Sequence, residues 1–574
     1  MSTDTTGAAA DAAAADAAAA DAAAAPLDLL PTDAVFGALR RVNPGGSGLR
    51  LAAALATRPG LVAGRGRQLL GEMARIAVGR SEVQPSRRDH RFADPGWTGN
   101  PLLRRVMQAY LAAAQTAEGV AGDADLDWAD AERVSFLLRN VVDALAPSNN
   151  PVLNPAAVKA AVDTGGGSAL AGLRHFVSDM AAPPRVPSMV EPDAFEVGVD
   201  LAVTPGKVVL RTPVFELIQY RPATATVRQI PLLIVPPTIN KFYVIDLAPG
   251  RSMAEYIIGS GQQVFMMSWR NPDARHAKWD FSTYGQAVLD AMDAAERITR
   301  SEQIALMGTC SGGMIAAMVA AHLAHIGQLD QIAAFTLMVT VLDESRAGLG
   351  AAVIDERTAR LAAAASQARG YLDGRSLAEV FAWLRPNDLI WNYWVNNYLL
   401  GRQPPRFDIL FWNADTTRMA AGLHRDFLQM GVTNGLTRPG GVTMLGSPVD
   451  LSLVDRDSYL VAGVTDHICP WQSCYRSTQL LAGRKRFVLS TSGHIAAMVN
   501  PPGNDKARYQ VAKECPEDPQ EWLRHAENCR GSWWPDYTAW LAERCGEEKA
   551  APDELGGGGL APICDAPGTY VYDH

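Results

Sequence analysis

Nowhere in this 574-residue sequence does an uninterrupted apolar stretch reach the roughly 20 residues that a membrane helix requires. The N-terminus also lacks a basic patch ahead of an apolar one, so neither a spanning segment nor a secretory leader is expected. Positive charge is not in excess: 52 Lys and Arg against 61 Asp and Glu leave a formal net charge of −9. That balance argues against general nucleic-acid binding, while leaving room for local basic groups at a coenzyme's phosphates. Cysteine is sparse, seven residues in an odd and scattered set that makes no disulfide framework, which fits a cytoplasmic protein. Cys469 and Cys474 are spaced C-x4-C, but no second pair or histidine cluster completes a zinc site, so no metal is expected.

What the sequence does have is enough apolar material for a large core, with 48% hydrophobic and 20% charged residues spread over more than one ordinary domain. Residues 1–26 are a low-complexity tail of alanine blocks broken by Asp11, Asp16 and Asp21, too uniform to build a core. From 27 to 185 the apolar residues recur at three- and four-residue steps, as in Leu102-Leu103 to Leu111 and Val134 to Val142, which predicts a helical domain. Its separation from every candidate catalytic residue predicts a role in partner or surface contact instead of chemistry. The prolines of Met180-Ala181-Ala182-Pro183-Pro184-Arg185-Val186-Pro187 read as a linker. Beyond it, strand-like runs at Lys207–Arg211, Pro231–Val235 and Gln263–Met267 alternate with helical segments such as Phe281 to Ile298. That alternation predicts a mostly parallel sheet covered by helices, the α/β-hydrolase arrangement, over 186–574. Between about 340 and 440 the alternation stops. There an insert rich in aromatics, with Trp383, Trp391, Trp394 and Trp412 among them, is placed to cap the site or to form a satellite core or a dimer surface.

The chemistry centres on Gly308-Thr309-Cys310-Ser311-Gly312-Gly313, preceded by the strand-like Gln303–Met307 and followed by the helix former Met314–Ala321. Strand, sharp glycine turn and helix in that order make a nucleophile elbow, here with cysteine in place of the usual serine. At a helix N-terminus the Cys310 thiol is expected to have a lowered pKa. A nucleophile needs a base, and the base a carboxylate. Asp466 ends the strand-like run Ser458–Val464, and His494 follows the run Arg486–Ser490, both just past predicted strand ends where parallel sheets build their sites. His467 is the main rival base, awkwardly placed because it adjoins Asp466. His322 and His325 sit in the helix after the elbow and the remaining histidines have no strand-end setting. For the oxyanion, the elbow offers the Ser311 backbone N–H. The loop Pro236-Pro237-Thr238-Ile239-Asn240 offers Ile239 or Asn240, since proline has no donor.

These blocks, together with Val235 to Tyr243, Ser268-Trp269-Arg270-Asn271-Pro272, Leu384 to Trp394 and Asn500-Pro501-Pro502-Gly503, resemble the single-subunit polyhydroxyalkanoate synthases over roughly residues 80–545. The final Pro567-Gly568-Thr569-Tyr570-Val571 is also similar to the end of such enzymes. Asp408–Asn413 and Pro470–Ser477 most resemble the branch that accepts medium-length side chains. The resemblance implies an acyltransferase that polymerises (R)-3-hydroxyacyl-coenzyme A, with coenzyme A as a product and no separate cofactor. It also implies a Cys310 thioester intermediate, a homodimer, and association with cytoplasmic polyester granules. A thioesterase or polyester hydrolase with the same three residues, or a non-catalytic granule-coating protein, are the alternatives.

Overall fold

Two Asn-Pro pairs show how the N-terminal helices start. The Asn100 side chain accepts the backbone N–H groups of Leu102 and Leu103, and Asn154 those of Ala156 and Ala157. The proline that follows each occupies a first-turn position where its missing N–H has no consequence. The computed structural model describes residues 45–87, 89–181, 184–348, 352 and 355–574. The predicted Ala/Asp tail 1–26 and the first part of the predicted helical region lie outside these. Within them the N-terminal layer comprises α1 (Gly45–Ala56), α2 (Pro59–Ala77), α3 (Pro101–Gly122), α4 (Trp128–Ala144), α5 (Pro155–Asp163) and α6 (Gly167–Ala181). Met107 and Leu111, one turn apart on α3, bury with Phe92 and Trp97 in a small core. Beside it the Arg91 guanidinium pairs with Asp89 and Asp143 and donates to Tyr110 Oη.

The second half is built on one eleven-stranded sheet. In chain order its strands are β1 (Gly206–Arg211), β2 (Phe215–Tyr220), β3 (Leu232–Val235), β4 (Val264–Trp269), β5 (Ile304–Thr309), β6 (Ile332–Met338), β7 (Ser458–Gly463), β8 (Lys485–Ser490), β9 (Arg508–Val511), β10 (Glu527–Arg530) and β11 (Cys564–Asp565). In space they run β10-β9-β8-β7-β6-β5-β3-β4-β2-β1-β11. Neighbours from β4 through β8 are parallel, as the alternating pattern predicted. The outer strands on both sides are antiparallel, which the expectation of a mostly parallel sheet did not include. β9 and β10 carry partly exposed residues and lack an apolar run, so periodicity had nothing to detect.

β3 and β5 are wholly buried, and the helix after β5, α8 (Cys310–His325), is buried nearly all round. Its run of alanine, methionine and isoleucine without a polar face follows from that position. It packs beside α7 (Phe281–Thr299), whose start is fixed by reciprocal Asp280 and Thr283 capping. Register then aligns the strand ends: Val235 pairs with Gly308, Thr309 with Met338, and Gly463 with Ser490. The loops after β3, β5, β7 and β8 therefore leave the sheet at one edge.

Between β6 and β7 lies the insert, with α9 (Glu356–Arg369), α10 (Gly374–Leu384), two π-helical turns at Asn387–Trp391 and Trp394–Leu399, α11 (Asp408–Ala414) and α12 (Ala421–Thr433). Two of its aromatics, Trp394 and Tyr398, face the N-terminal layer, whereas Trp412 packs in the sheet-side cluster. Phe176 of α6 meets Trp394 and Tyr398 edge-on, and Tyr398 Oη donates to Asp179 at 2.7 Å. Trp394 Nε1 donates to the Asn149 carbonyl, while Trp383, Ile390 and Trp391 form a satellite core. A water-excluding function is thus not needed to explain Trp383, Trp391, Trp394 and Tyr398, and the N-terminal helices act as the floor on which the π turns rest.

Candidate active site

The elbow holds together because of what its glycines omit. A Cβ on Gly312 would lie 2.7 Å from the Val235 carbonyl oxygen and 2.8 Å from the Pro236 carbonyl carbon, so only glycine lets α8 start against the end of β3. Cys310 itself has φ +49°, the left-handed region that side-chain-bearing residues rarely occupy. The turn lifts its sulfur out of the strand line, at the margin of an apolar cluster that includes Phe242, Val339 and Trp412.

The sequence order Cys310, Asp466, His494 becomes a spatial line. Asp466 leaves the end of β7 buried. Its Oδ1 accepts the backbone N–H groups of Ile468 and Cys469, each at 2.9 Å, and its Oδ2 meets His494 Nδ1 at 2.7 Å. His494 begins the short α13 (His494–Met498) just past β8, and one of its ring nitrogens lies within 4.8 Å of Cys310 Sγ. His467 plays no such part. Its Nδ1 is buried with no hydrogen-bond partner among the described residues, and burial, then the nearby Arg385 guanidinium, lower its pKa to about 4. The other rivals are occupied elsewhere: His322 with Ser447 Oγ, His175 with the Asn397 carbonyl and His424 with Ser366 Oγ.

Cys310 departs from the expected low pKa. The hydrogen bond with Cys469, then burial, push its thiol well up, with His494 acting the other way. For His494, burial opposes the charged ring, but the Asp466 carboxylate and the contact with Cys310 outweigh it and raise the pKa to about 10. At neutral pH both groups therefore hold protons, and a thiolate forms only as a proton leaves the pair.

The two candidate oxyanion donors of the β3 loop separate. Asn240, at φ +64°, donates its N–H to Thr417 Oγ1 of the insert at 2.8 Å, so its expected role is corrected: that donor is already spent. Ile239 is left in the loop, and Ser311 in the elbow. The two segments are tied together by a link that sequence patterning gave no reason to find: the Thr238 N–H and hydroxyl both donate to Ser311 Oγ, at 2.9 and 3.1 Å. Trp269 Nε1 also donates to the Pro236 carbonyl.

Two further groups arrive unannounced. Arg385, from the insert, places Nη1 3.7 Å from where a Gly493 Cβ would stand, beside the histidine loop. Cys469, three residues beyond Asp466, comes with the acid's own loop. Its Sγ, Cys310 Sγ and a His494 ring nitrogen all lie within 4.8 Å of one another. Among the described residues no helix is long and apolar enough to cross a membrane.

Residues 88–257 match the family described as "Poly-beta-hydroxybutyrate polymerase (PhaC) N-terminus", and residues 231–501 the "alpha/beta hydrolase fold". Poly(3-hydroxyalkanoate) polymerase 1 of Ectopseudomonas oleovorans is 47% identical over 88% of this chain and 89% of its own length. Polymerase 2 of the same organism is 46% identical over 87% of this chain and 89% of its own. The poly(3-hydroxyalkanoate) polymerase subunit PhaC of Cupriavidus necator is 39% identical over 86% and 85%.

Proposed function

Since the chain belongs to the poly(3-hydroxyalkanoate) polymerase family, we propose that it lengthens a polyester from (R)-3-hydroxyacyl-coenzyme A through a thioester on Cys310, with His494 as base and Asp466 as its partner. The observation that carries this reading is the line from Cys310 through His494 to the buried Asp466 carboxylate at the ends of β5, β8 and β7.

Once the ring has lost its own proton, His494 takes the thiol proton as Cys310 Sγ attacks the acyl carbonyl. The tetrahedral oxyanion is met by the Ser311 and Ile239 N–H groups. Collapse expels the coenzyme A sulfur, which leaves with a proton from His494, and the acyl group remains on Cys310. In the second half-reaction the 3-hydroxyl of another hydroxyacyl group attacks this thioester, again giving its proton to His494. One ester bond forms and the Cys310 thiol is restored. Asp466 holds the ring by Nδ1 and stabilises its cation throughout. The product polymer implies granule association, and the family resemblance a homodimer.

Cys310→Ala and His494→Ala should each abolish coenzyme A release and polymer formation in the folded protein; full activity in either variant would overturn the reading. Free hydroxy acid in place of polymer would assign the same three residues to a hydrolase. The resemblance of Asp408–Asn413 and Pro470–Ser477 to the branch that accepts medium-length side chains favours medium-length monomers. A C8 substrate should then outpace a C4 substrate side by side.

A further inference from the structure

Cys469 is absent from the proposed acyl-transfer steps, yet its sulfur sits with the nucleophile and the base. We propose that Cys310, Cys469 and His494 form a binding site for a thiophilic divalent cation, zinc above all, and that its occupancy shuts the centre down.

Three observations meet here. First, the two sulfurs and a ring nitrogen lie within 4.8 Å of one another. A tetrahedral zinc ion with bonds of about 2.3 Å to sulfur and about 2.0–2.1 Å to nitrogen needs its ligands roughly 3.5–3.8 Å apart, so only a small contraction is required. A disulfide between the same sulfurs must close to about 2.05 Å, a longer movement for an elbow fixed against β3. Second, the histidine is already supported as a metal ligand should be, its Nδ1 bound to the Asp466 carboxylate at 2.7 Å. That carboxylate is in turn fixed by the N–H groups of Ile468 and Cys469, so acid, histidine and second thiol are positioned as one unit. Third, the donor set is two sulfurs and one imidazole, which selects zinc and its soft relatives over magnesium or calcium. Cys469 is buried, whereas Cys310 is half-buried and gives an approach from the substrate side. Binding displaces the two thiol protons and the proton on the facing nitrogen of the His494 cation: Zn²⁺ plus two thiols and one imidazolium gives a dithiolate–imidazole complex and three H⁺.

The shutdown rests on the roles proposed for Cys310 and His494; the binding does not, and the two are read separately. The metal-free, reduced full-length chain is titrated with Zn²⁺ and, in parallel, with Co²⁺ as a spectroscopic probe. A single equivalent should bind, coenzyme A release should fall in proportion, EDTA should restore it, and Co²⁺ should show a near-ultraviolet thiolate charge-transfer band. Cys469→Ser, its rate read against its own zinc-free rate, should bind Zn²⁺ at least about 100-fold more weakly, given that losing even a supporting residue costs 10–100-fold. Cys469→Ala should behave alike, and Cys474→Ser should bind as the unaltered chain does. Undiminished Zn²⁺ affinity in both Cys469 variants, a Co²⁺ complex without a thiolate band, or inhibition relieved by a phosphine reductant and not by EDTA would each overturn the site. Tight, Cys469-dependent binding with no loss of rate would uphold the site and overturn the catalytic roles of Cys310 and His494.

Discussion

Replacing Gly172 by alanine tests whether the N-terminal helices support the insert. Gly172 lies on α6 where that helix crosses the second π turn. A Cβ there would stand 2.7 Å from the Tyr398 carbonyl carbon, 3.0 Å from its Cα and closer still to its oxygen. Ordinary contact begins near 3.4 Å, so the two backbones must part by at least about 0.7 Å, and neither is a flexible side chain. The same crossing carries the Phe176 contacts with Trp394 and Tyr398, the Tyr398–Asp179 hydrogen bond and the donation from Asn397 Nδ2 to the Ser188 carbonyl. Overpacking of this kind costs about 1–3 kcal/mol, which lowers hydrogen-exchange protection in residues 387–399 by roughly 5- to 150-fold if that segment opens locally. A chain of this length shifts its melting temperature by only about 1 °C per kcal/mol, so a global melt is the wrong assay. Exchange measured by mass spectrometry on peptides covering 387–399 is the right one, with coenzyme A release measured alongside because Arg385, from the same insert, stands beside Gly493. Gly71→Ala on α2, with nothing within 4 Å of the added methyl, is the matched control and should change neither. Unaltered protection of 387–399 in Gly172→Ala would refute the bracing argument.

Asp466→Asn should lower coenzyme A release by about 10³–10⁴-fold, the scale seen when a triad carboxylate is neutralised. The pH profile should move too. His494 is raised from 6.5 to about 10, so its stabilising contribution is fully present below pH 6.5 and is lost as pH rises through 10. In the unaltered protein stability should therefore fall from pH 7 to 10 while the rate climbs, as the ring becomes free to accept a proton. Asp466→Asn should flatten the stability profile and move the rise in residual rate to lower pH, which thermal melts and initial rates across pH 6–10 check. Glu216→Gln should loosen the C-terminal segment. The buried Glu216 accepts the Thr569 and Tyr570 N–H groups and the Thr569 hydroxyl and pairs with Arg211, and losing such bonds costs about 1–3 kcal/mol. Faster proteolysis after residue 560 is the expected sign, and unchanged digestion would speak against the anchor.

The elbow and the strands at 207–211, 231–235 and 263–267 were legible because a buried parallel strand is a short apolar run and a nucleophile turn needs glycine at fixed offsets. Asp466 and His494 were legible for the same reason, each lying one loop beyond such a run. Asn240 was misjudged because backbone donors look alike in sequence, and only the fold reveals that Thr417, 177 residues away, has taken its N–H. The low thiol pKa expected for Cys310 failed similarly: the helix N-terminus is local, whereas Cys469 and burial arrive through folding. The tryptophans of the insert announced a buried surface but not its partner, since Phe176 and Asp179 carry no mark of facing them. The helical domain read as serving partner or surface contact packs on the π turns that follow Arg385.

The left-handed backbone at Cys310 sets two selections against each other at a single codon. Holding a side chain at φ +49° costs roughly 1–2 kcal/mol that glycine would not incur, so the best-folding residue at position 310 is one with no sulfur at all. A redesign scored by stability alone would discard the proposed nucleophile first. A cysteine held in so unfavourable a conformation is what the proposed chemistry would demand, and the demand is written in the backbone angle and not in any contact that the thiol makes.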